Sequence, residues 1–457
     1  MFPARMAEPG AEVVRHAQAG PRYTSYPPAT EFRDRFGAAD AAHDLAALAQ
    51  EPIGVYLHVP FCSQLCWYCG CNVIATRDRS RGSAYVELLI RELALVTATM
   101  GRRPRVTELA LGGGSPNFLS AHDLTRLVAA IDDRCAIEPD AEIGLELDPR
   151  DTTVAQIDEL GAFGFTRLSV GVQDFSPEVQ VAIHRIQSVA QTRAVVDRAR
   201  ARGFRSVNVD LIYGLPGQTV AGIEHTVAEV VALAPDRIAV FGYAHLPHLR
   251  PHQHLVTRSY PVPDLAARVE LLRAVLDRLA DAGYVRVGLD HFARPDDPLV
   301  AAAGDGRLGR NFQGYVVRRA SALVGCGVSA ISDSGNAYWQ NHVELDAWTR
   351  AVEAGQLPVA RGVRLDDDDR LRRDVIMQLM CTGGVDLAEV ASRHGVEAGV
   401  TFAAELDQLE ASHRDLALVD RATSTVTATP LGHHLIRNVA RVFDRYARGV
   451  SGGSPTI

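Results

Sequence analysis

The sequence predicts an α/β fold, a parallel sheet followed by a smaller, mainly helical module, and three observations lead to it. Between residues 50 and 245, six short apolar, β-branched runs alternate with amphipathic helical stretches. Each run stops at polar or glycine-rich residues. From about residue 364 the pattern changes to helices around a single hairpin. Apolar strands joined by helices imply parallel pairing with at least one face covered. Right-handed connections then wrap six such units into an incomplete barrel or an open doubly wound sheet.

Residues 1–49 form an N-terminal segment expected to pack near the site, although 20–27 (GPRYTSYP) has the composition of a linker. The run 55–59 leads into HVPFC at 58–62, and a helical stretch spans 83–100. The run 109–111 opens into Gly112, Gly113 and Gly114. Ser120, three residues before Asp123, marks the start of a helix over 120–135. The runs 143–147, 168–172, 207–212 and 238–241 carry Glu146, Gln173 with Asp174, Asp210, and Tyr243-Ala244-His245 at their ends. Helical stretches at 152–163 and 220–234 lie among them. Ligands of barrel-type α/β folds bind at the C-terminal strand ends, so these groups should converge. One or two polar strand ends would be ordinary loop chemistry; six in register point to a site.

A helix over 265–282, an apolar run at 285–289, and loops at 291–294 (HFAR) and 311–315 (NFQGY) complete a catalytic domain assigned to 50–363. The module at 364–457 reads as helices at 370–380 and 386–393, a hairpin within 416–429 and a final helix at 431–448. Helices followed by a hairpin suit a winged helix, a DNA-binding layout. A docking or lid domain is the blander reading, and the charge balance favours it.

The chain has 457 residues, 47% apolar and 22% charged, with a net charge of -8, the profile of a globular protein of more than one domain. That sign gives no general attraction to nucleic acid or anionic lipid. No apolar run approaches the ~20 residues of a membrane span. The N-terminus lacks the apolar core of a secretory signal, so a cytoplasmic protein is expected. Of seven cysteines, Cys62, Cys66, Cys69 and Cys71 fall within ten residues, while Cys135, Cys326 and Cys381 sit in apolar surroundings as small core residues. A tight group points to metal and not to disulfides.

The spacing Cys62-x3-Cys66-x2-Cys69 carries the chemistry. Three thiolates from one short loop can hold three irons of a [4Fe–4S] cluster and leave the fourth open to a substrate's amino and carboxylate groups. Zinc is the alternative, with Cys71 as fourth ligand, but four ligands in ten residues suit a tetrahedral site poorly.

At these residues the chain resembles a known family. YLHVPFCSQLCWYCGC at 56–71 is similar to the signature of radical S-adenosylmethionine (SAM) enzymes, and Cys71 resembles the oxygen-independent coproporphyrinogen III oxidase family in particular. The likeness continues through GPRYTSYP at 20–27, GGGSP at 112–116, ELDPR at 146–150, GVQDF at 171–175, DLIYGLP at 210–216, YAHLP at 243–247, HFARPDD at 291–297, NFQGY at 311–315, GVSAIS at 327–332 and RRDVI at 372–376. Leu109-Ala110-Leu111, Ser115, Asn117 and Trp67-Tyr68 depart from the family pattern.

The resemblance implies a partial (β/α)6 radical-SAM barrel with a helical C-terminal domain, a [4Fe–4S] cluster on Cys62, Cys66 and Cys69, and two SAM molecules. Tyr56, Tyr68, Gly113, Glu146 and Ile331 would contact the SAM at the open iron. Gly114, Ser115, Gln173, Arg185, Asp210 and Ala244 would contact the second. Cys71 and Tyr56 would serve the catalytic step, and Arg22 would hold a substrate propionate. The implied reaction is oxidative decarboxylation of coproporphyrinogen III to protoporphyrinogen IX in haem biosynthesis. It needs a reducing donor such as flavodoxin or ferredoxin, and a monomer is expected, with neither nucleic acid nor membrane as partner. The rivals are a radical-SAM paralogue (methyl transfer, cyclopropanation or haem breakdown), a haem chaperone, and a DNA-binding regulator with a cluster. Cys71, the segment 20–27 and the C-terminal module speak against the chaperone.

Overall fold

The computed structural model describes residues 2–48, 51–317, 320–447, 454–455 and 457. Six strands run parallel and side by side in chain order: β1 (Ile53–Val59), β2 (Arg105–Gly113), β3 (Ala136–Leu147), β4 (Arg167–Gln173), β5 (Ser206–Tyr213) and β6 (Arg237–Gly242). Beyond β6 the sheet continues antiparallel through β8 (His291–Ala293) to β7 (Val285–Arg286). On the far side of β1, β9 (Ala322–Cys326) pairs parallel, and β10 (Ile331–Asp333), β11 (Ala337–Asn341) and β12 (Val359–Arg364) follow antiparallel. β1, which delivers the cysteines, therefore lies inside the sheet and not at its edge.

The strands are less uniformly apolar than their central runs suggest. Along β3, β4 and β5, Leu145 and Leu147, Leu168, Val170 and Val172, and Val207, Val209 and Leu211 enter the core. The residues between them, Glu142, Gly144 and Glu146, Arg167, Ser169 and Gly171, and Asn208 and Asp210, line cavities on the other face. This two-residue period gives the sheet one face packed in the core and one facing a lumen. A doubly wound sheet would cover both faces with helices, so the partial barrel is the form adopted.

Helix caps follow the local sequence. The Asp123 backbone N–H donates to Ser120 Oγ at 3.1 Å at the start of helix Ala121–Arg134. The run at 285–289 shrinks to the two residues of β7 because the chain closes on the Tyr315 ring. A Cβ on Gly288 would lie 2.2 Å from that ring, and the Leu289 N–H donates to the Tyr315 hydroxyl at 3.0 Å. The motif at 311–315 is the turn of a hairpin, Leu308–Asn311 paired with Gly314–Val317.

After β12, helix Asp367–Thr382, strand Gly384–Asp386, helices Leu387–Arg393 and Ala403–Ser412, and strands Ala417–Asp420 and Thr425–Ala428 make a small winged-helix arrangement. The short strand Gly384–Asp386 is an addition to the sequence reading. The helix expected at 431–448 is two short helices instead, Pro430–His434 and Ile436–Val442, broken at Leu435 where φ is -114° and ψ is 28°. The break accompanies a tertiary bond: buried His434 meets Arg286 Nη1 through its Nδ1 at 2.9 Å. The helix end expected at 448 and the boundary expected at 49–50 lie outside the described residues.

Residues 20–27 are no loose linker. Tyr23 and Tyr26 are buried, and the Tyr23 hydroxyl donates to Asp444 Oδ2 at 3.0 Å. Arg437 Nε donates to Pro21 O at 2.8 Å, and Arg22 Nη2 donates to Gly242 O at the end of β6 at 3.0 Å. This short stretch thus ties the barrel to the C-terminal module.

Burial raises the Asp444 carboxyl, and the bonds it accepts from the Tyr446 N–H and the Tyr23 hydroxyl pull it back, so its satisfaction depends on few donors. Tyr23→Phe should cost about 1–3 kcal/mol by leaving a buried acceptor short of a partner. Urea unfolding of the two proteins measures this; an unchanged midpoint would show that the tie carries no stability.

Candidate active site

The cysteine loop starts where β1 ends. Phe61–Cys62 pairs in parallel with Ile74–Ala75, closing the loop at its base. The Ile74 N–H donates to Pro60 O at 2.7 Å and the Thr76 N–H to Cys62 O at 2.9 Å. Two outside segments then hold the loop's own backbone. From 183–184, the Ile183 carbonyl accepts from the Trp67 N–H at 3.0 Å, His184 Nδ1 lies 2.9 Å from Leu65 O, and the His184 ring stacks on Trp67. From 250–253, Arg250 Nε donates to Gly70 O at 2.9 Å, His252 Nε2 sits 2.8 Å from Cys69 O, and Gln253 Nε2 donates to Tyr68 O at 2.8 Å.

Cys62, Cys66, Cys69 and Cys71 all line one cavity of about 490 Å3 at the strand ends, and Cys71 is the most open of the four. Tyr68, Gly113, Gly114, Ser115, Glu146, Gln173, Arg185, Asp210, Ala244 and Arg22 line it as well. Two predicted site residues do not. Tyr56 stands on β1 with its hydroxyl 3.1 Å from His58 Nδ1, and Ile331 packs beside the Phe32–Tyr338–Leu365 cluster at the start of β10. Asp174 and His245 also turn elsewhere, Asp174 to Gln218 and Thr226, His245 to the Tyr243 hydroxyl.

The glycines are required where the chain crosses β1. Gly113 has φ 108°, and a Cβ there would lie 2.4 Å from the His58 ring; at Gly114 it would lie 2.7 Å from Phe61 O. Neither position can carry a side chain, so backbone forms the cavity wall there.

Cys66 is the thiol with the strongest cationic surroundings. Arg150 Nη2 lies 3.3 Å and Arg185 Nη1 3.4 Å from its Sγ. Between the two guanidinium groups sits Asp148, 2.6 Å from Arg150 Nη2 and 2.9 Å from Arg185 Nη1. Burial pushes the Asp148 carboxyl up, yet the two arginines outweigh it and hold it at about 2. Burial pushes the Cys62 thiol up to about 12, whereas a hydrogen bond from Cys71 overcomes burial at Cys69 and brings it to about 7.

Glu146 and Asp210 line the same cavity. Burial first, and the Asp210 charge second, raise Glu146 to about 7; the Gly113 N–H donates to its Oε2 at 3.2 Å. Asp210, raised chiefly by burial, accepts from Asn208 Nδ2 at 2.8 Å and Ser169 Oγ at 3.1 Å. Two carboxylates lining one cavity suit a cationic ligand group.

The donors suit a cluster better than a single ion. Several thiols of one short loop lining one cavity are the donor set of a polynuclear group that takes one sulfur per iron. Arg185 Nε is buried without a hydrogen-bond partner in the protein, an orphan donor beside the same cavity. These residues fit a [4Fe–4S] cluster with a charged ligand next to it.

A second cavity, of about 410 Å3, continues into the lumen and shares Arg22, Glu146, Ser169, Asp210 and Phe241 with the first. Its wall includes Arg310, held by Asp290 at 3.3 Å, and the hairpin-turn residues Phe312 and Gln313. Asp148, Arg150, Arg310 and this turn were not singled out as site residues from sequence. The blocks at 146–150 and 311–315 were visible, but nothing in their spacing says which side chain turns inward.

Comparison with known proteins agrees with this geometry. Residues 56–230 match the radical SAM superfamily and residues 365–432 the HemN C-terminal domain. The chain is 40% identical over 439 residues to an oxygen-independent coproporphyrinogen III oxidase of Pseudomonas aeruginosa, covering 95% of each chain. To the protein of that name from Bradyrhizobium diazoefficiens it is 42% identical, covering 93% of this chain and 94% of the other. The solved structure of coproporphyrinogen III oxidase from Escherichia coli, described as a radical SAM enzyme, superposes with a TM-score of 0.90 at 37% identity over 95% of this chain and 98% of that one.

Glu146 gives a pH-dependent expectation. Its folded-state pKa is raised above its value in the unfolded chain, so its relative contribution to stability is complete below about 4.5 and lost as pH rises through about 7. Glu146→Gln should therefore raise the unfolding midpoint of the cofactor-free protein at pH 8 and change it little at pH 5. Urea unfolding at the two pH values tests this; a gain equal at both would refute the assignment.

Proposed function

The chain belongs to the oxygen-independent coproporphyrinogen III oxidase family of radical SAM enzymes, and on that premise we propose how its residues carry out the family's reaction. The protein is an oxidoreductase of haem biosynthesis that converts two propionates of coproporphyrinogen III to vinyl groups, giving protoporphyrinogen IX. The carrying observation is that the three-cysteine loop, two carboxylates and an orphan guanidinium donor meet in one cavity that opens into a second.

The [4Fe–4S] cluster and SAM supply, when bound, the one-electron cleavage that yields a 5′-deoxyadenosyl radical. Cys62, Cys66 and Cys69 hold the cluster as thiolates. Cys71, open to the same cavity, remains outside the ligand set and acts on the substrate side. Glu146 accepts from the ammonium group of the first SAM, with Tyr68 and Gly113 completing that site. Arg185 pairs with the carboxylate of a second SAM through its planar fork, and Gly114, Ser115, Gln173, Asp210 and Ala244 complete the second site. The backbone walls at Gly113 and Gly114 let a ligand approach the strand ends closely.

Arg22 binds a propionate. It lines both cavities, and among the described residues no carboxylate forms an ion pair with it. Loss of one hydrogen atom from the propionate β-carbon, then of CO2 and of one electron to an external acceptor, leaves the vinyl group. A soluble reductant of the flavodoxin or ferredoxin kind provides the electron, and the enzyme works as a cytoplasmic monomer. Among the described residues, no helix is long and apolar enough to cross a membrane.

Iron and sulfide analysis of anaerobically reconstituted variants tests the ligand set. Cys62→Ser, Cys66→Ser and Cys69→Ser should lose the cluster, whereas Cys71→Ser should keep it and lose turnover. A cluster lost from Cys71→Ser would overturn the three-plus-one assignment.

The reaction is tested with reductant, SAM and coproporphyrinogen III deuterated at the propionate β-carbon, without oxygen. Deuterium should appear in 5′-deoxyadenosine, with a monovinyl intermediate preceding protoporphyrinogen IX. SAM cleavage without deuterium transfer or vinyl product would favour a paralogue's reaction instead.

A further inference from the structure

The reaction above draws single electrons from outside the chain, and the surface over the cysteine loop has properties the fold does not require. Among the described residues ten large apolar side chains stand exposed, and five of them, Val181, Ile186, Val220, Leu249 and Tyr260, belong to three neighbouring segments around that loop. Their exposures run from 40% at Tyr260 to 63% at Leu249, too large for core residues with a ragged edge. The segments touch one another. Helix Pro177–Ala182 packs against the 3-10 helix Pro251–Arg258. A Cβ on Gly217 would lie 3.1 Å from the Tyr260 ring, and one on Gly222 would lie 3.0 Å from Ser176 Oγ.

The charge of this face opposes that of the whole chain. From 243 to 263 there are two arginines, Arg250 and Arg258, four histidines, His245, His248, His252 and His254, and neither Asp nor Glu. Glu178 is the one exposed carboxylate on the adjoining helix. The chain as a whole carries -8.

This strip is also joined to the thiols. Arg250 donates to Gly70 O at 2.9 Å and His252 contacts Cys69 O at 2.8 Å, so one hydrogen bond separates the strip from the peptide unit of a proposed cluster ligand. On the other flank, His184, two residues from Ile186, is bonded to Leu65 O and stacked on Trp67 between Cys66 and Tyr68.

We propose that the face formed by residues 177–186, 217–220 and 246–260 is the docking surface for an acidic one-electron carrier protein. This rests on the radical-SAM reading above. The carrier is oxidised by one electron and the group held by Cys62, Cys66 and Cys69 is reduced by one; no bond is made or broken. A protein of charge -8 repels an acidic partner at long range, so a local basic strip is needed to orient the encounter. The apolar side chains then give a small, short-lived contact of the kind electron-transfer pairs use.

The experiment uses the cluster-loaded enzyme and reduced flavodoxin, an acidic flavin carrier, with cluster bleaching followed by anaerobic stopped flow. Dithionite serves in parallel as a small reductant that needs no docking. Neither measurement involves coproporphyrinogen III, so the outcome does not depend on which substrate is correct. In Leu249→Asp/Arg258→Glu the bimolecular rate with flavodoxin should fall by about tenfold or more at low salt, while the dithionite rate stays within about twofold. Raising the salt should narrow the gap between variant and parent. The control Val400→Asp/Leu418→Asp places charges on exposed apolar residues of the C-terminal module and should leave both rates unchanged.

An unchanged flavodoxin rate in the first variant overturns the proposal. So does an equal fall with dithionite, which would mean the loop itself had been disturbed. An equal fall in the control overturns it too, since bulk charge would then explain the effect. A parent protein that sediments as a dimer, and becomes a monomer in the first variant, would assign the face to a second copy of the chain instead.

Discussion

Asp148 lies between the guanidinium groups of Arg150 and Arg185, both of which reach Cys66, and much of the site depends on that buried arrangement. The carboxylate and both cations are nearly closed off from solvent, so none is cheap to desolvate alone. Together they satisfy one another and leave net positive charge beside a thiol. They also join three elements: Asp148 and Arg150 follow β3, Arg185 follows a short helix after β4, and Cys66 belongs to the loop after β1. The loop has little core of its own. Its shape comes from this ion group, from the carbonyls held by Arg250, His252 and Gln253, and from the contact with 183–184.

The sheet turns that local order into a cavity. Its two-residue period sends Leu168, Val170 and Val172 into the core and Arg167, Ser169 and Gly171 into the lumen, so each strand supplies stability from one face and chemistry from the other. At the strand ends the backbone itself becomes functional surface. Gly113 and Gly114 pass against His58 and Phe61 with no room for a Cβ, and Gln173 adopts φ 71°, a conformation rare outside glycine. Such backbone is tolerated because flanking strands β1, β2, β4 and β5 fix it from both sides.

Charge is distributed unevenly across the cavity. Cationic groups gather near Cys66, while Glu146 and Asp210, lining the same cavity, are lifted by desolvation towards protonation. A zwitterionic ligand would find there an opposite charge for each of its ends, which relieves part of the desolvation cost. Arg22 adds a cation where this cavity meets the lumen, and it is placed there by an N-terminal segment clamped through Tyr23 to Asp444 and through Pro21 to Arg437.

The sequence by itself determined the strand–helix alternation, the three-plus-one cysteine spacing, the glycine run and the polar residue at each strand end. These are local properties: period, spacing and the chemistry of adjacent residues survive in one dimension. It also marked the Ser120 cap, because that bond spans three residues. Other features belong only to the tertiary structure. The position of β1 inside the sheet depends on β9, more than 260 residues later, and the pairing of Asp148 with Arg185 spans 37 positions. The residues 20–27 read as a linker because small and polar residues look the same in a loop and under a module that buries them. The helix at 431–448 was legible as an amphipathic run, but its break follows from the burial of His434 against Arg286, 148 positions away. Contacts between distant segments leave no periodic trace in the chain, so only the folded arrangement decides which of many polar side chains turns into the cavity.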